Sequence, residues 1–256
     1  MYPRATVDLA LLLSGLGVFD RENAQICNVS IRAIRHWRTG GRRRGDGTGG
    51  REAPRCPRCS DCRLDELAYS YLFGLYLGDG HIVGTRRSYV LTIACSDRWP
   101  GLLDAAQQAT EHIMPSSSVF RRSRRGVACT YIMSVSKHWP CLFPQHGPGR
   151  KHERHIALEP WQQEIVTKYP GNFVRGLFHS DGYRGANRVR RPVGGSEHWY
   201  EYPRYLFDNR STDILGLCGE ALDRLGVAWR FSKPTTISVA RRDAVARLDE
   251  FVGPKY

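Results

Sequence analysis

Two aspartates, Asp79 and Asp181, each end an apolar segment and are followed by glycine. Each is preceded by two small residues spaced four apart. These small pairs are Gly74 with Gly78 and Gly176 with Ser180. Small residues at this spacing lie on one face of a helix and let two helix backbones approach closely. The spacing therefore predicts two helices packed around a pseudo-twofold axis, with Asp79 and Asp181 neighbours at their C-terminal ends.

A pair of carboxylates in this position is electrostatically unfavourable. The C-terminal end of a helix disfavours an anion, and two like charges in one site raise a carboxyl pKa. Divalent cations would relieve both problems, and oxygen ligands favour Mg²⁺ over zinc. Metal ions that bridge a phosphodiester can activate water and stabilise the leaving oxygen. The aspartate pair therefore indicates a magnesium site suited to phosphodiester hydrolysis.

The charge of the chain indicates a polyanionic partner. Net charge is +13, from 38 Lys and Arg against 25 Asp and Glu. Arginine predominates, and its guanidinium binds phosphates and guanine edges in bidentate fashion.

No stretch is apolar enough to span a bilayer. The apolar segment 7–19 is interrupted by Asp8 and lacks a cleavage site, so a secretion signal is not expected. Scattered cysteines suit reduced thiols in the cytoplasm.

The sequence around the two aspartates repeats one pattern of elements. In each half an apolar helix is followed by strands, a second helix, a hairpin and a final helix. The segments of the first half are 69–80, 89–94, 102–109, 119–126 and 129–136, and those of the second are 172–182, 205–208, 214–225, 228–234, 236–240 and 242–251. The pattern predicts an α+β fold of two pseudo-symmetric αββαββα repeats, at about 64–160 and 161–256.

The two motifs themselves resemble those of a known family. Leu72–Gly80 (LFGLYLGDG) and Val174–Gly182 (VRGLFHSDG) are similar to the paired LAGLIDADG (DOD-type) motifs of homing endonucleases. The resemblance covers roughly residues 65–256. It implies a monomeric, intron-homing type of DNA endonuclease whose strands form a saddle over double-stranded DNA. It also implies Mg²⁺ bound by Asp79, Asp181, Gly78 and Ser180.

The chain departs from the family pattern at two kinds of position. Leu77 and His179 stand where the family has a further acidic residue, and His179 is interpreted as a packing residue rather than a catalytic one. Cleaving members carry a basic residue, often Lys, near the end of the second strand. Arg98 and Arg210 are the candidates here for stabilising phosphate charge, and Lys137 is a poorer match.

The same resemblance predicts which basic side chains contact DNA. An ordinary solvated basic surface is the alternative for each of them. The predicted contacts are Arg86, Arg87, Arg121, Arg122, Arg124, Arg125, Arg188, Arg190, Arg191, Arg204, Arg230 and Lys233. A further basic loop, 145–154, joins the halves and either follows the DNA backbone or is a solvated linker.

Residues 1–40 are typical of a small helix-turn-helix. Leu9, Leu12, Leu13 and Leu16 predict the inner face of a first helix, and Asp20 is the predicted N-cap of a second. In a third helix, from Ser30 to Arg38, we expect Ile31, Ile34 and Trp37 to face inward. Its outward side chains, predicted to contact DNA, are Arg32, Arg35, His36 and Arg38. A helical hairpin with a solvated basic face is the alternative.

Residues 41–63 combine a Gly/Arg linker with a cluster of three cysteines. Cys56 and Cys59 have the spacing of a zinc knuckle, and Cys62 is a possible third ligand. The fourth ligand of such a Zn²⁺ site is not assigned by the sequence. A short turn that happens to contain cysteines is the alternative.

Two functions of different classes fit these patterns. The first is a site-specific, Mg²⁺-dependent DNA endonuclease that uses Asp79 and Asp181. The second is a transcriptional regulator that keeps the same scaffold only to bind DNA. The aspartate pair favours the enzyme, whereas the helix-turn-helix and the missing lysines favour the regulator. An RNA maturase fits less well, because a major-groove helix suits duplex DNA better than A-form RNA.

Overall fold

The computed structural model describes residues 2–39, 56–60, 62–124, 126–253 and 255. The chain divides into two compact units, residues 1–53 and 54–256. No helix in these described ranges is long and apolar enough to cross a membrane.

The first unit consists of three short helices around a core of their own. They are α1 (Arg4–Gly15), α2 (Asp20–Ile26) and α3 (Ile31–Arg38). The Ser30 hydroxyl caps α3 by accepting a hydrogen bond from the Ala33 amide. Ile34 and Trp37 are buried as predicted, whereas Ile31 is 37% exposed.

The predicted inner face of α1 is wrong in part. Leu12 and Leu16 are 62% and 72% exposed, and Leu9 is also exposed. Val7 and Ala10 form the buried face instead, and Leu13 packs partly against it. The helix is apolar on nearly every side, so its periodicity does not specify which face is inward.

The second helix differs from the prediction at its first residue. Phe19 occupies the N-cap position, and Asp20 lies inside α2. The Asp20 carboxylate accepts hydrogen bonds from Arg35 Nε at 3.3 Å and Arg38 Nη2 at 3.1 Å. Asp20 therefore connects α2 to α3 instead of capping its own helix.

The second unit contains the two predicted repeats. The first comprises α4 (Glu66–Asp79), β1 (Gly80–Gly84), β2 (Tyr89–Ser96), α5 (Pro100–Ile113), β3 (Val119–Ser123), β4 (Cys129–Ser136) and α6 (Trp139–Leu142). After α7 (Pro160–Lys168), the second comprises α8 (Pro170–Ser180), β5 (Gly182–Val193), β6 (Ser196–Asp208), α9 (Thr212–Arg224), β7 (Arg230–Lys233), β8 (Thr236–Val239) and α10 (Arg242–Val252). The αββαββα prediction is confirmed for both halves.

The two sheets have the same topology. Each is four-stranded and antiparallel, with order β1-β2-β4-β3 in the first repeat and β5-β6-β8-β7 in the second. Alternate strand residues point to opposite faces. Ile93, Ile132, Phe207 and Ile237 are buried on the side that faces the helices. The helices therefore cover one face of each sheet.

Strands β5 and β6 extend well beyond the second sheet. They pair along their whole length, from Gly182 with Phe207 to Val193 with Ser196. Only residues 205–208 of β6 also pair with β8. The rest of β5 and β6 is a two-stranded ribbon, which we call the β5–β6 ribbon, residues 185–204.

Candidate active site and nucleic-acid interface

Helices α4 and α8 pack on each other through the small residues found in the sequence. A Cβ added to Gly74 would lie 2.9 Å from the Gly176 Cα and 2.8 Å from the Leu177 amide nitrogen. A Cβ added to Gly78 would lie 3.0 Å from Asp181 Oδ2. The close helix approach is confirmed, and it brings the Asp181 carboxylate beside the end of α4.

Both carboxylates lie in an unfavourable electrostatic environment, although Asp79 is exposed and Asp181 is half-buried. Partial desolvation by the surrounding protein and the charge of Asp181 raise the pKa of Asp79 to about 6. Burial also raises the pKa of Asp181, opposed by a hydrogen bond from Asn209 Nδ2 at 2.8 Å. Both groups therefore favour a nearby positive charge or a proton over isolated ionisation.

Two lysines supply positive charge at related places in the repeats. Lys151 Nζ donates to the carbonyls of Gly78 at 2.9 Å and Gly80 at 2.5 Å. Lys255 Nζ donates to the carbonyl of Gly182 at 2.6 Å. Gly80 and Gly182 each follow the aspartate of their motif, so the two lysines contact equivalent carbonyls.

Both ammonium groups interact with the carboxylate pair. Burial lowers the pKa of Lys151 to about 8, while the charges of Asp181 and Asp79 raise it. Burial likewise lowers the pKa of Lys255, again opposed by both aspartates. The site is thus a partly solvent-accessible cluster of two carboxylates and two ammonium groups.

The sequence patterns did not point to these lysines. The family pattern places a basic residue near the end of the second strand, whereas Lys151 and Lys255 follow the last elements of their repeats. One signal does exist in the sequence: Lys151 lies 72 residues after Asp79, and Lys255 lies 74 residues after Asp181. Near-equal spacing in two repeats indicates equivalent positions.

The loop 145–154 carries Lys151 to the carboxylates. The Arg154 guanidinium donates to the carbonyls of Gln145 at 3.0 Å, Gly147 at 2.9 Å and Gly149 at 2.9 Å. These bonds fold the loop around one side chain. The loop is therefore held together by internal hydrogen bonds and places the Lys151 ammonium at the carboxylate pair.

The surroundings of the two aspartates are not identical. Asn209 donates to Asp181, and its own Oδ1 accepts from the Ser211 amide at 2.8 Å, which fixes the orientation of the Asn209 side chain. The strand registers align Cys95 with Asn209. Burial and the charge of Asp79 raise the pKa of Cys95 to about 12. Asp181 thus faces an amide where Asp79 faces a neutral thiol.

A polar cleft of about 660 Å³ opens beside the carboxylate pair, on the side of Asp181. Asp181 and Asn209 line it together with a set of basic side chains. Those basic side chains are His81, Arg150, Lys151, His152, Arg154 and Arg210. Of the two arginines proposed from sequence, the structure brings Arg210 to the cleft. Arg98 is not among the lining residues, and its guanidinium stands 6.0 Å from the ring centre of Trp99.

The oxygen atoms at the carboxylate pair fit a hard divalent cation, with one complication. Two carboxylates and nearby backbone carbonyls are the ligand types that Mg²⁺ prefers. The Gly78 carbonyl already accepts from Lys151. The Ser180 hydroxyl donates to the Leu177 carbonyl of its own helix at 2.8 Å. Asp79 and Asp181 are therefore the principal candidate ligands, because the Gly78 carbonyl and the Ser180 hydroxyl already have partners.

His179 is a buried packing residue. Its Nδ1 lies 3.0 Å from the Tyr71 hydroxyl, and its Nε2 lies 3.0 Å from the Val252 carbonyl. Burial and the neighbouring Arg175 charge lower its pKa to about 4. The side chain holds α4, α8 and the end of α10 together.

The predicted DNA-contacting arginines of the first sheet are divided between its two faces. Arg121 Nε donates to Gln107 at 2.7 Å, and its guanidinium also pairs with Asp104, so it lies against α5. Arg122 is the next residue along β3 and points to the opposite face. Arg86, Arg87 and Arg124 are exposed. Arg125 lies outside the described residues.

The second sheet and the β5–β6 ribbon show a similar division. Arg188 pairs with Glu201 at 3.2 Å, and Arg190 pairs with Glu197 on the same ribbon face. Arg191 and Arg204 alternate onto the other face, where Arg204 Nε donates to Ser238 Oγ at 2.9 Å. Arg230, opposite Ser238 in the sheet, and Lys233 are exposed.

The basic side chains of α3 are also of two kinds. Arg35 and Arg38 pair with Asp20. Arg32 and His36 are exposed on the same helix. The four-residue turn 27–30 between α2 and α3 contains Asn28, whose φ of 49° is in the left-handed region.

The three clustered cysteines separate in the structure. Cys56 and Cys59 lie in one turn, and the thiol of Cys62 donates instead to the Ser60 carbonyl at 3.5 Å. His138 and Cys141, from the end of the first repeat, join Cys56 and Cys59. The sequence offered no reason to connect segments so far apart.

Comparison with known proteins gives structural likeness only. No family model matches the chain, and no curated protein matches it. Similar solved structures include I-DmoI in complex with DNA and Mn, at 14% identity, covering 75% of this chain and 99% of that chain with a TM-score of 0.45. LAGLIDADG meganuclease I-AabMI bound to uncleaved DNA has 10% identity, coverage of 71% and 82%, and a TM-score of 0.45. The homing endonuclease I-WcaI bound to its DNA recognition sequence has 12% identity, coverage of 76% and 84%, and a TM-score of 0.42.

Proposed function

We propose that this chain is a LAGLIDADG-type endonuclease that binds double-stranded DNA at specific sites and hydrolyses it with Mg²⁺. The observation that carries the proposal is the position of Asp79 and Asp181. They meet at the C-terminal ends of two glycine-packed helices, and Asp181 lines a basic cleft. Desolvation and repulsion by Asp181 raise the pKa of Asp79. The ionised pair therefore destabilises the fold unless a cation or a proton neutralises it, which favours a functional reason for the pair.

In this proposal Asp79 and Asp181 hold the metal with backbone oxygens of Gly78 and Ser180. Bound Mg²⁺ would supply a charge that activates water and stabilises the leaving oxygen. Lys151 and Lys255 place further positive charge at the same point, where a DNA phosphate would lie. Arg210 lines the cleft and adds a guanidinium on the side of Asp181. The two lysines supply the ammonium groups that the strand ends lack, where Arg98 and Arg210 stand instead.

The sheet faces turned away from the helices are the proposed DNA-binding saddle. Arg122, Arg191, Arg204 and Arg230 lie on those faces by strand alternation. One chain supplies both halves of the saddle, which favours a monomer that contacts two half-sites. Helix α3 is proposed to read DNA through Arg32 and His36. Reduced thiols and a DNA target favour the cytoplasm as the location of the protein.

A transcriptional regulator is the second candidate, and one contact favours it. The Lys151 ammonium donates to the Gly78 carbonyl, which the enzyme would offer to a metal ion. If this ammonium permanently replaces the cation, the scaffold binds DNA without cutting it.

Cleavage of a supercoiled plasmid library distinguishes the two functions. The protein is incubated with Mg²⁺ or with Ca²⁺, beside the double variant Asp79→Asn/Asp181→Asn. The enzyme predicts Mg²⁺-dependent cuts at defined sequences, absent from the variant, while both proteins bind the same sequences in Ca²⁺. Sequence-specific binding without cuts in Mg²⁺ or Mn²⁺ would establish the regulator instead.

A further inference from the structure

Four potential metal ligands from two distant segments converge outside the carboxylate site. They are Cys56, Cys59, His138 and Cys141, whose ligand atoms all lie within 4.8 Å of one another. Cys59 Sγ is 3.5 Å from Cys141 Sγ, and Cys141 Sγ is 3.9 Å from His138 Nδ1. We call this group the Cys₃His cluster.

Local structure directs each pair of ligands toward the other. The amides of Cys59 and Ser60 donate to the Cys56 carbonyl at 3.1 and 2.9 Å, so Cys56–Cys59 forms a tight turn with both thiols available. His138 and Cys141 have the same spacing, and the Cys141 amide donates to the His138 carbonyl at 3.0 Å. Buried Trp139 anchors this second turn through a bond from its Nε1 to the Ser134 carbonyl.

We propose that the Cys₃His cluster is a structural Zn²⁺ site. Zinc bound tetrahedrally by thiolates at about 2.3 Å places its sulfur atoms about 3.8 Å apart. The Cys59–Cys141 sulfur separation of 3.5 Å is close to that spacing, and His138 Nδ1 lies 3.9 Å from Cys141 Sγ as a nitrogen ligand of the same group. All of the cysteines are free, and a 3.5 Å sulfur separation is far longer than a disulfide bond. Sulfur and imidazole ligands select zinc over magnesium.

The ligand set differs from the one expected from the sequence. Cys62 is replaced by His138 and Cys141, which complete the four ligands that a structural zinc site requires. Four protein ligands leave no open position for a substrate. The site therefore stabilises the fold and takes no part in hydrolysis.

The cluster ties the start of the second unit to the end of its first repeat. Cys56 is fully buried and lies at the beginning of the described part of the second unit. Beside it, the Arg58 guanidinium lies 4.4 Å from the ring centre of Trp161 on α7. Zinc would fix this segment against α6 and α7, and so fix the point from which the Gly/Arg linker departs.

Metal content of the full-length chain tests the proposal. Protein purified without chelator is assayed by inductively coupled plasma mass spectrometry, beside Cys59→Ser, Cys141→Ser and His138→Asn. Cys62→Ser is the matched control, and Asp79→Asn/Asp181→Asn excludes the carboxylate site. We expect one zinc per chain in the wild type and in both controls, and loss of zinc in the three ligand variants.

Cobalt substitution of the wild-type chain keeps the test valid if the variants misfold. Co²⁺ in the Cys₃His cluster produces thiolate-to-metal charge-transfer absorption, which oxygen ligands do not. Absence of zinc from the wild type together with absence of that absorption overturns the proposal. Loss of zinc in Cys62→Ser but not in Cys141→Ser, or a Cys59–Cys141 disulfide found by peptide mass mapping, overturns it as well.

Discussion

Individual side chains at the carboxylate pair show how burial and charge are balanced. Asp79 is exposed and Asp181 half-buried, and two ammonium groups offset their repulsion. Lys151 is half-buried, and its bonds to the carbonyls of Gly78 and Gly80 orient it toward the acids. Its position, rather than its charge alone, distinguishes it from the many basic groups on the surface.

Substitution of Lys151 therefore affects cleavage more than DNA binding. We expect Lys151→Met to lower the single-turnover cleavage rate by about 100-fold or more, since it removes a charge beside the reacting phosphate. Binding in Ca²⁺ changes little, because the surface arginines remain. Lys137→Met is the matched control: Lys137 is exposed at the end of β4, and its substitution leaves the rate close to that of the wild type. Equal rates for the two variants would contradict a role for Lys151.

His179 predicts a pH dependence of stability. Its pKa is about 4 when folded and 6.5 when exposed, so the unfolded chain binds a proton between these values that the folded chain does not. The contribution of His179 to stability therefore decreases as pH falls from about 6.5 to 4, by up to about 3 kcal/mol. Urea unfolding at several pH values should show a shallower decrease for His179→Gln. His198→Gln, exposed on β6, controls for removal of a histidine. Parallel profiles for all three proteins would refute the assignment.

Among the elements, α4 and α8 carry the closest packing. Their contact depends on glycine at Gly74 and Gly176, where backbone meets backbone. The same contact sets the spacing of the two aspartates, so helix packing and site geometry are coupled. A side chain at either glycine would force the backbone of the facing helix to shift, because the nearest atoms are backbone atoms and not the ends of flexible side chains.

Gly74→Ala is accordingly expected to destabilise the second unit by about 1–3 kcal/mol or more. A Cβ at that position would lie 2.8 Å from the Leu177 amide nitrogen. Gly216→Ala in α9 is the matched control, since nothing lies within 4 Å of its added Cβ. At position 216 the higher helix propensity of alanine should raise the free energy of unfolding by as much as about 1 kcal/mol. The urea midpoint of unfolding is measured for Gly74→Ala, Gly216→Ala and the wild type. Similar midpoints for the two variants would argue against the close contact between α4 and α8.

Elements with strong local signals were predictable, and those without were not. The duplicated motifs predicted α4, α8 and the two sheets because small residues and alternation leave a direct trace in sequence. Of β5 and β6, only residues 205–208 were predicted as a strand, because the residues of the β5–β6 ribbon show no apolar alternation in the sequence. Lys151 and Cys141 reach their sites through contacts between distant segments, which local patterns do not encode.

In the whole molecule, the two halves of the second unit are alike in topology but unequal in detail. Asn209 bonds to Asp181 where Cys95 stands in the first half, and only the second half carries a long ribbon among the described strands. A two-stranded ribbon of this kind can enter a major groove. The proposed enzyme would thus recognise an asymmetric DNA target, with more protein surface on the half-site contacted by the second repeat.

The first unit has its own core, so its removal tests what it adds to DNA binding. A chain lacking residues 1–53 retains every element of the two repeats and all four ligands of the Cys₃His cluster. It should cut the same plasmid sites, because Asp79 and Asp181 are unchanged. Its affinity in Ca²⁺ should fall, and the slope of log K against log salt should become shallower by about 0.9 for each DNA phosphate that the first unit neutralises. Fluorescence anisotropy over a range of salt concentrations measures both quantities. Unchanged affinity and slope would show that α3 does not bind DNA, and a changed cleavage sequence would show that it helps to choose the target.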